Sequence, residues 1–163
     1  MNRNDTSSPS PAPFLVRRAS AEDTGAIEAL YRELVDDPQI RLLPAQVASL
    51  AGTTNSLLLV AEANRQICAT ALLTICPDVM YGTQPFGVLE NVVVAESMRG
   101  QGIGQQLLEE IERMAVAHDC TKLMLLSSVY RAPAHAFFRR CGFAADSKHA
   151  FVKYRSQFRH CRG

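Results

Sequence analysis

From residue 86 to residue 95 the chain reads Phe-Gly-Val-Leu-Glu-Asn-Val-Val-Val-Ala, apolar on both faces through Val92, Val93 and Val94. A run apolar on both faces predicts a central strand covered on both sides. The period then changes. Leu107, Leu108, Ile111, Met114 and Ala115 fall on one helical face, and Gln105, Gln106, Glu109, Glu112 and Arg113 on the other, so an amphipathic helix is predicted after Gly102. Residues 122–127, with Leu123-Met124-Leu125-Leu126 at their centre, supply the next strand. Strand, helix and strand in this compass make a βαβ unit with parallel strands.

The flanking patterns complete an α/β fold with a mixed sheet. Residues 14–18 read as a short first strand. Ser20 and Asp23 open a helix with Ile27, Leu30, Tyr31 and Leu34 on its apolar face, stopped by Pro38. Pro44 begins a second helix with Val47, Leu50 and Ala51 inward, ending at Gly52. Residues 57–63 and 66–75 are β-rich and separated by Asn64-Arg65, which predicts an antiparallel hairpin. Residues 77–85 carry Pro, Gly and Tyr81 without periodicity and read as an exposed loop placed to overhang a site. Pro133 starts a last helix with Ala134, Phe137, Phe138 and Cys141, stopped at Gly142, and Phe151-Val152-Lys153-Tyr154 is expected to close the sheet. Residues 1–13, rich in Ser, Pro and Asn, have almost nothing to bury and are read as a disordered tail. Residues 14–163 are read as one domain, the size expected for a single core.

Composition narrows the function. Seventeen Lys and Arg against sixteen Asp and Glu leave a formal charge of +1, which lacks the broad basic footprint of a nucleic-acid-binding domain. Cys68, Cys76, Cys120, Cys141 and Cys161 are scattered, with no C-x-x-C pair and no histidine at zinc-ligand spacing. Reduced thiols in a cytoplasmic protein and no metal site are therefore expected. The polar N-terminus and the absence of any apolar run near the ~20 residues of a bilayer span predict neither signal peptide nor membrane helix.

The chemistry centres on Arg99-Gly100-Gln101-Gly102-Ile103-Gly104. A strand that ends in a glycine-rich turn and opens a helix gathers free N–H groups and positive dipole charge at one point, a seat for phosphate. A P-loop requires a Lys after its last glycine, and a dinucleotide fingerprint requires different glycine spacing with an acid closing the next strand. Neither is present. Glycines at these positions let phosphate oxygens approach the amides of Gly102, Ile103 and Gly104. Arg99 is either a charge-assisted donor or a solvated loop arginine, and the simplest reading of the glycines alone is a turn that lets a helix leave a strand.

Arg99, Gly102 and Gly104 after a valine-rich strand resemble the Arg/Gln-x-x-Gly-x-Gly/Ala signature of the GCN5-related N-acetyltransferases. Ala134-His135-Ala136-Phe137-Phe138-Arg139-Arg140-Cys141-Gly142-Phe143 resembles that family's late helix, and the order and distance between the two elements also match. The resemblance runs from about residue 14 to residue 154 and is strongest over residues 89–143. It implies parallel strands at 89–94 and 122–127 that splay apart around the pantetheine arm of acetyl-CoA. It implies that residues 99–104 (Arg99, Gly100, Gln101, Gly102, Ile103 and Gly104) hold the pyrophosphate, and that a backbone N–H near Val92, Val93 or Val94 meets the acetyl carbonyl. Ser127 and Ser128 would bond the pantetheine amides, His135 would lie beside the pantetheine path, and Arg139 and Arg140 would reach the 3′-phosphate. Within the family, residues 89–94 and the Cys-Gly-Phe ending are similar to glucosamine-6-phosphate N-acetyltransferases and small bacterial amine acetyltransferases.

Acetyl transfer to an amine needs a proton acceptor, because an alkylammonium with a pKa near 10 is mostly charged and inert at neutral pH. Glu90 is the lone acid of its strand, where burial would make the carboxylate more basic, and it is read as the general base. Its alternative is a pairing with a substrate cation or a nearby arginine. The family's usual thiolate-protonating tyrosine is replaced by Phe138, so that role fails to carry over; Tyr130 is the substitute, with Tyr81 and Tyr154 behind it. No cysteine reads as a nucleophile, so direct attack in a ternary complex is expected. The chain is read as an acetyl-CoA-dependent N-acetyltransferase of a small primary amine, such as an amino sugar, a polyamine or an amino-acid-like molecule. The alternatives are acetylation of a protein amine and a non-catalytic acyl-CoA-binding module. A homodimer, with no nucleic-acid or membrane partner, completes the expectation.

Overall fold

The computed structural model describes residues 14–158, and the tail at 1–13 and Cys161 lie outside them. The described residues group into two compact units that divide after Leu125.

The first unit is built on five strands in the order β1 (Leu15–Arg18), β2 (Ser56–Ala63), β3 (Gln66–Cys76), β4 (Phe86–Val94) and β5 (Leu123–Leu125). The first three pairings are antiparallel and β4 with β5 is parallel, which is the mixed sheet expected. The β2–β3 hairpin turns where predicted, with Asn64 and Arg65 at φ 51° and 64°, the positive pair that a right-twisted two-residue turn demands. Between β4 and β5 runs α3 (Ile103–Ala117), which buries Ile103, Leu107, Leu108, Ile111 and Ala115 and packs against β3 and β4.

Helices α1 (Thr24–Leu34) and α2 (Pro44–Ala51) cover the sheet through a cluster of Ala19, Ile27, Val47, Leu58 and Val60, against which Tyr31, Leu50 and Leu72 pack. Residues of the opposite parity, Leu59, Leu73 and Leu89, are also buried, so the sheet carries core on both faces. The Ser20 and Asp23 pair caps a short 3-10 turn ahead of α1, with the Ser20 N–H donating to Asp23 Oδ2 at 2.8 Å. Arg17 donates to both oxygens of the buried Asp23 at 2.7 and 2.9 Å and to Glu62 at 3.0 Å. This clamp ties β1 and β2 to the start of α1.

Several expectations are corrected. Helix α1 ends at Leu34, with Val35 already extended, ahead of Pro38. Ala51 is exposed rather than inward. Strand β5 keeps three of the residues expected, because its partner β4 leaves regular geometry just past Leu89. The loop at 77–85 precedes β4 and so leaves the sheet at the end opposite the glycine turn, about 27 Å away along the strand at ~3.3 Å per residue.

The second unit begins at Leu126 and contains α4 (Ala132–Arg140), with Pro133 in its first turn. Phe151-Val152-Lys153-Tyr154 does not form the closing strand. The Tyr154 N–H donates to Gln157 Oε1 at 2.8 Å, opening a 3-10 turn over Arg155–Gln157, and Phe151 is 94% exposed. A short run of strand-forming side chains has no ladder to join when its backbone bonds locally.

Candidate functional site

Strand β4 is regular up to Leu89, bonded to β3 on one side and to β5 on the other. Beyond it two things change together. The parallel register ends at Leu89 opposite Leu125, so residues 90–94 have no β5 partner. On the β3 side Leu72 stands opposite Glu90 and Thr70 opposite Val93, which leaves Asn91 and Val92 together against Ala71. This is a β-bulge, and Asn91 takes φ 55°, a left-handed conformation that Asn tolerates better than most side chains. The open edge has the form that an extended ligand pairs with. It begins at the acidic residue singled out by the sequence.

Glu90 is exposed. The burial expected to make it more basic is therefore missing. Its register opposite Leu72 places it on the face of the sheet covered by α1, since Leu72 packs into the α1–α2 cluster. Val92 is half-buried and Val93 buried.

After β4 the chain makes a 3-10 turn over Glu96–Met98 and reaches the glycines. Gly100 and Gly102 have φ 78° and 83°, and a Cβ added at either would meet nothing within 4 Å. These glycines are thus required by backbone conformation, and the space beside them is open. The Gln106 N–H donates to the Gly102 carbonyl at 3.1 Å as α3 begins. The preceding amides of Ile103, Gly104 and Gln105 have no intrahelical acceptor. No acidic side chain occupies the first turn of α3, so nothing there opposes a bound anion.

The Nε of Arg99 donates to the Val94 carbonyl at 3.1 Å, and its Nη2 lies 3.9 Å from Glu33 Oε2. The same Glu33 oxygen accepts the Glu96 N–H at 2.8 Å. Arg99 and Glu33 therefore brace the start of the turn against the end of α1. Tyr31 lies two residues earlier on α1, half-buried, and desolvation pushes its phenol up, with the Asn91 side chain acting in the opposite direction. Tyr31, Glu33 and Asn91 were not legible as polar groups of this region, because Tyr31 reads as one more member of an apolar helical face. An Asn inside a valine-rich strand was the one available signal.

The second unit holds the remaining predicted residues. His135 Nε2 lies 2.9 Å from the Ser128 carbonyl oxygen; a carbonyl only accepts, so this nitrogen carries the proton. The Arg131 N–H donates to the same oxygen at 3.0 Å. The Ser127 Oγ is buried without a hydrogen-bond partner. Tyr130 is 91% exposed. Arg139 and Arg140 are exposed in the last turn of α4, where cations suit the helix dipole. Phe138 sits between Phe137 and Phe143, with ring centroids 5.3 and 6.0 Å away. It occupies an aromatic cluster and offers no proton.

Among the described residues no group of three or more His, Cys, Asp or Glu is placed to hold a metal, and no helix is long and apolar enough to cross a membrane. The chain is 32% identical over 83 residues to glucosamine 6-phosphate N-acetyltransferase of Trypanosoma brucei brucei, covering 51% of this chain and 54% of that one. It is 39% identical over 59 residues to IAA acetyltransferase of Azospirillum brasilense, covering 36% and 39%. The matches thus span about half, or less, of these relatives. A solved structure from Agrobacterium tumefaciens str. C58, assigned to the acetyltransferases, superposes with TM-score 0.77 at 29% identity over 86% of this chain and 99% of that one. The glucosamine-6-phosphate N-acetyltransferase of Arabidopsis thaliana shares the fold, with TM-score 0.73 at 22% identity over 87% and 98%. The model of the acetyltransferase (GNAT) family matches residues 27–143, from within α1 to just past α4, and the chain belongs to that family.

Proposed function

We propose that this protein transfers the acetyl group of acetyl-CoA to a primary amine of a small molecule, by direct attack in a ternary complex. The observation that carries this reading is the continuity of the open half of β4 with the left-handed glycine turn at the start of α3. One offers strand amides to an extended arm and an acyl oxygen, and the other offers uncapped amides to a pyrophosphate.

Residues 99–104 hold the diphosphate through the amides of Gly102, Ile103 and Gly104, with Arg99 holding the turn in shape. An amide of Val92, Val93 or Val94 receives the acetyl oxygen. Glu90 takes one proton from the acceptor ammonium, whose nitrogen then forms the new C–N bond as the C–S bond breaks and gives its second proton to water. The thiolate leaves with both electrons of that bond; at a pKa of about 8.5 it needs no strong acid, and water protonates it. Ser128, His135 and Arg139 are assigned to the CoA arm and its 3′-phosphate, and Tyr130 remains the substitute acid. The glucosamine 6-phosphate and IAA acetyltransferase relatives favour a small acceptor over a protein one. One domain over residues 14–163, a homodimer and a cytoplasmic location belong to the same reading.

The test is thiol release from acetyl-CoA against amino sugars, polyamines, amino acids and peptides. Turnover with one of them, reduced about 100-fold in kcat by Glu90→Gln with little change in the KM for acetyl-CoA, is expected for loss of a general base. A second reading, a non-catalytic acyl-CoA-binding module, is favoured by the missing hydroxyl at Phe138. CoA binding without turnover across the whole panel would establish it.

A further inference from the structure

The spacer between β4 and the glycine turn, residues 95–99, is held by bonds that can be followed one by one. The Ala95 N–H donates to the Cys68 carbonyl at 2.8 Å, the Met98 N–H to the Ala95 carbonyl at 2.9 Å and the Arg99 N–H to the Glu96 carbonyl at 3.3 Å. The Glu96 N–H opens the 3-10 turn, and Ala95 in the N-cap position has no side-chain acceptor to offer it. Its acceptor comes from 63 residues earlier in the chain, Glu33 Oε2 at 2.8 Å.

Charge alone gives no reason for a carboxylate there. Glu33 stands in the last turn of α1, where the helix dipole disfavours an acid, and beside Arg99, which leads into the turn read as an anion seat. By Coulomb repulsion it would weaken an anion bound nearby. What it gives the turn is geometry. The oxygen that accepts the Glu96 N–H also lies 3.9 Å from Arg99 Nη2, and Arg99 Nε holds the Val94 carbonyl at 3.1 Å. Residues 94, 96 and 99 are thereby fastened to a helix that is itself anchored by the buried Ile27 and Leu30. A Cβ added at Gly100 or Gly102 would meet nothing within 4 Å, so on that side the turn has no close packing to hold it.

We propose that Glu33 is a positioning residue for acetyl-CoA, which caps the Glu96 amide and holds Arg99 from α1, and so sets where the amides of Gly102, Ile103 and Gly104 stand to grip the diphosphate. This rests on the acetyl-CoA reading of the turn. Glu33 need touch neither the cofactor nor the amine.

The experiment titrates CoA and 3′-dephospho-CoA by calorimetry into the wild-type chain, Glu33→Ala and Glu33→Gln, at an ionic strength of about 0.15 M that screens long-range charge. Thiol release from acetyl-CoA and from S-acetylpantetheine, which lacks the diphosphate, is followed in parallel. Loss of the cap in Glu33→Ala should weaken both CoA forms about five- to tenfold, with kcat at saturating acetyl-CoA and kcat/KM for S-acetylpantetheine within about twofold of wild type. Glu33→Gln keeps an oxygen that can accept the Glu96 N–H and should restore CoA affinity to within about threefold. The Glu33 side chain is 39% exposed, so folding is not at stake in either variant.

Equal or tighter CoA binding in Glu33→Ala would overturn the inference, since that is the sign expected of a carboxylate acting by charge alone. An equal loss with S-acetylpantetheine would overturn it too, as the mark of a general structural role. So would a Glu33→Gln variant as weak as Glu33→Ala. If the wild-type chain turns over no amine, the transfer reading fails and the CoA titrations decide the role of Glu33 by themselves. If it binds no CoA, both fall.

Discussion

The two halves of β4 belong to one continuous strand and behave as different materials. Residues 86–89 are bonded to β3 and, from Gly87 on, to β5, and Leu89 is 1% exposed. Residues 90–94 have lost β5, carry a bulge and a left-handed Asn91, and expose Glu90. The closed half anchors the strand in the core. The open half leaves backbone donors and an acid where a ligand can use them. Packing and function are thus divided along the strand, and a substitution should report on the half in which it falls.

Leu89→Ala is the strongest way to break the closed half. It removes a side chain with almost no solvent contact, and the cavity left among Leu73 and its neighbours should cost about 2–5 kcal/mol of stability. Chemical denaturation measures this. Below the transition, the KM for acetyl-CoA should stay within about twofold, because the open half and the glycine turn are not altered. A stable variant with a large KM defect would merge the two halves into one.

The same Gly→Ala change tests both regions with one chemistry. At Gly87 an added Cβ would lie 2.5 Å from Leu123 Cδ2 and 3.2 Å from Leu73 Cδ1. Both side chains would have to give way in a filled core, at about 1–3 kcal/mol, seen in the denaturation midpoint. At Gly102 the same atom meets nothing, but φ is 83°. The strain there is about 1–2 kcal/mol. Relieving it moves the amides ahead of α3, so the KM for acetyl-CoA should rise about tenfold with turnover at saturation nearly intact.

Much of this division was visible in the residues, and the reason varies from place to place. Asn64-Arg65 announced its hairpin because the constraint is local: two positive φ values in a two-residue turn. The glycine turn was legible for the same reason, and the βαβ unit because periods of 2 and 3.6 differ over short windows. The bulge was not, since it depends on which residue of β3 faces Asn91, a long-range pairing. Glu90 reads as buried in an apolar run until β5 is seen to stop at Leu125. Phe151 to Tyr154 has strand propensity, yet propensity without a neighbouring edge leaves backbone groups to bond locally.

The smallest effect concerns a closed contact far from the turn, and it separates stability from binding by pH. The Arg17 guanidinium bonded to Asp23 holds that carboxyl below the usual aspartate range, with the Ser20 N–H adding to it. Glu28 is lowered too, by the Leu42 N–H and then by Arg32. A folded-state value below the unfolded one contributes stability that is fully present above the unfolded pKa of about 4 and is lost as pH falls through the folded value. The melting temperature should therefore hold from pH 7 to about 5 and decline below 4. In Asp23→Asn the neutral level should be lower and the acid decline shallower, while the KM for acetyl-CoA at pH 7 stays unchanged. An unaltered acid decline in that variant would remove Asp23 from the frame and leave Glu28 and other carboxylates to explain it.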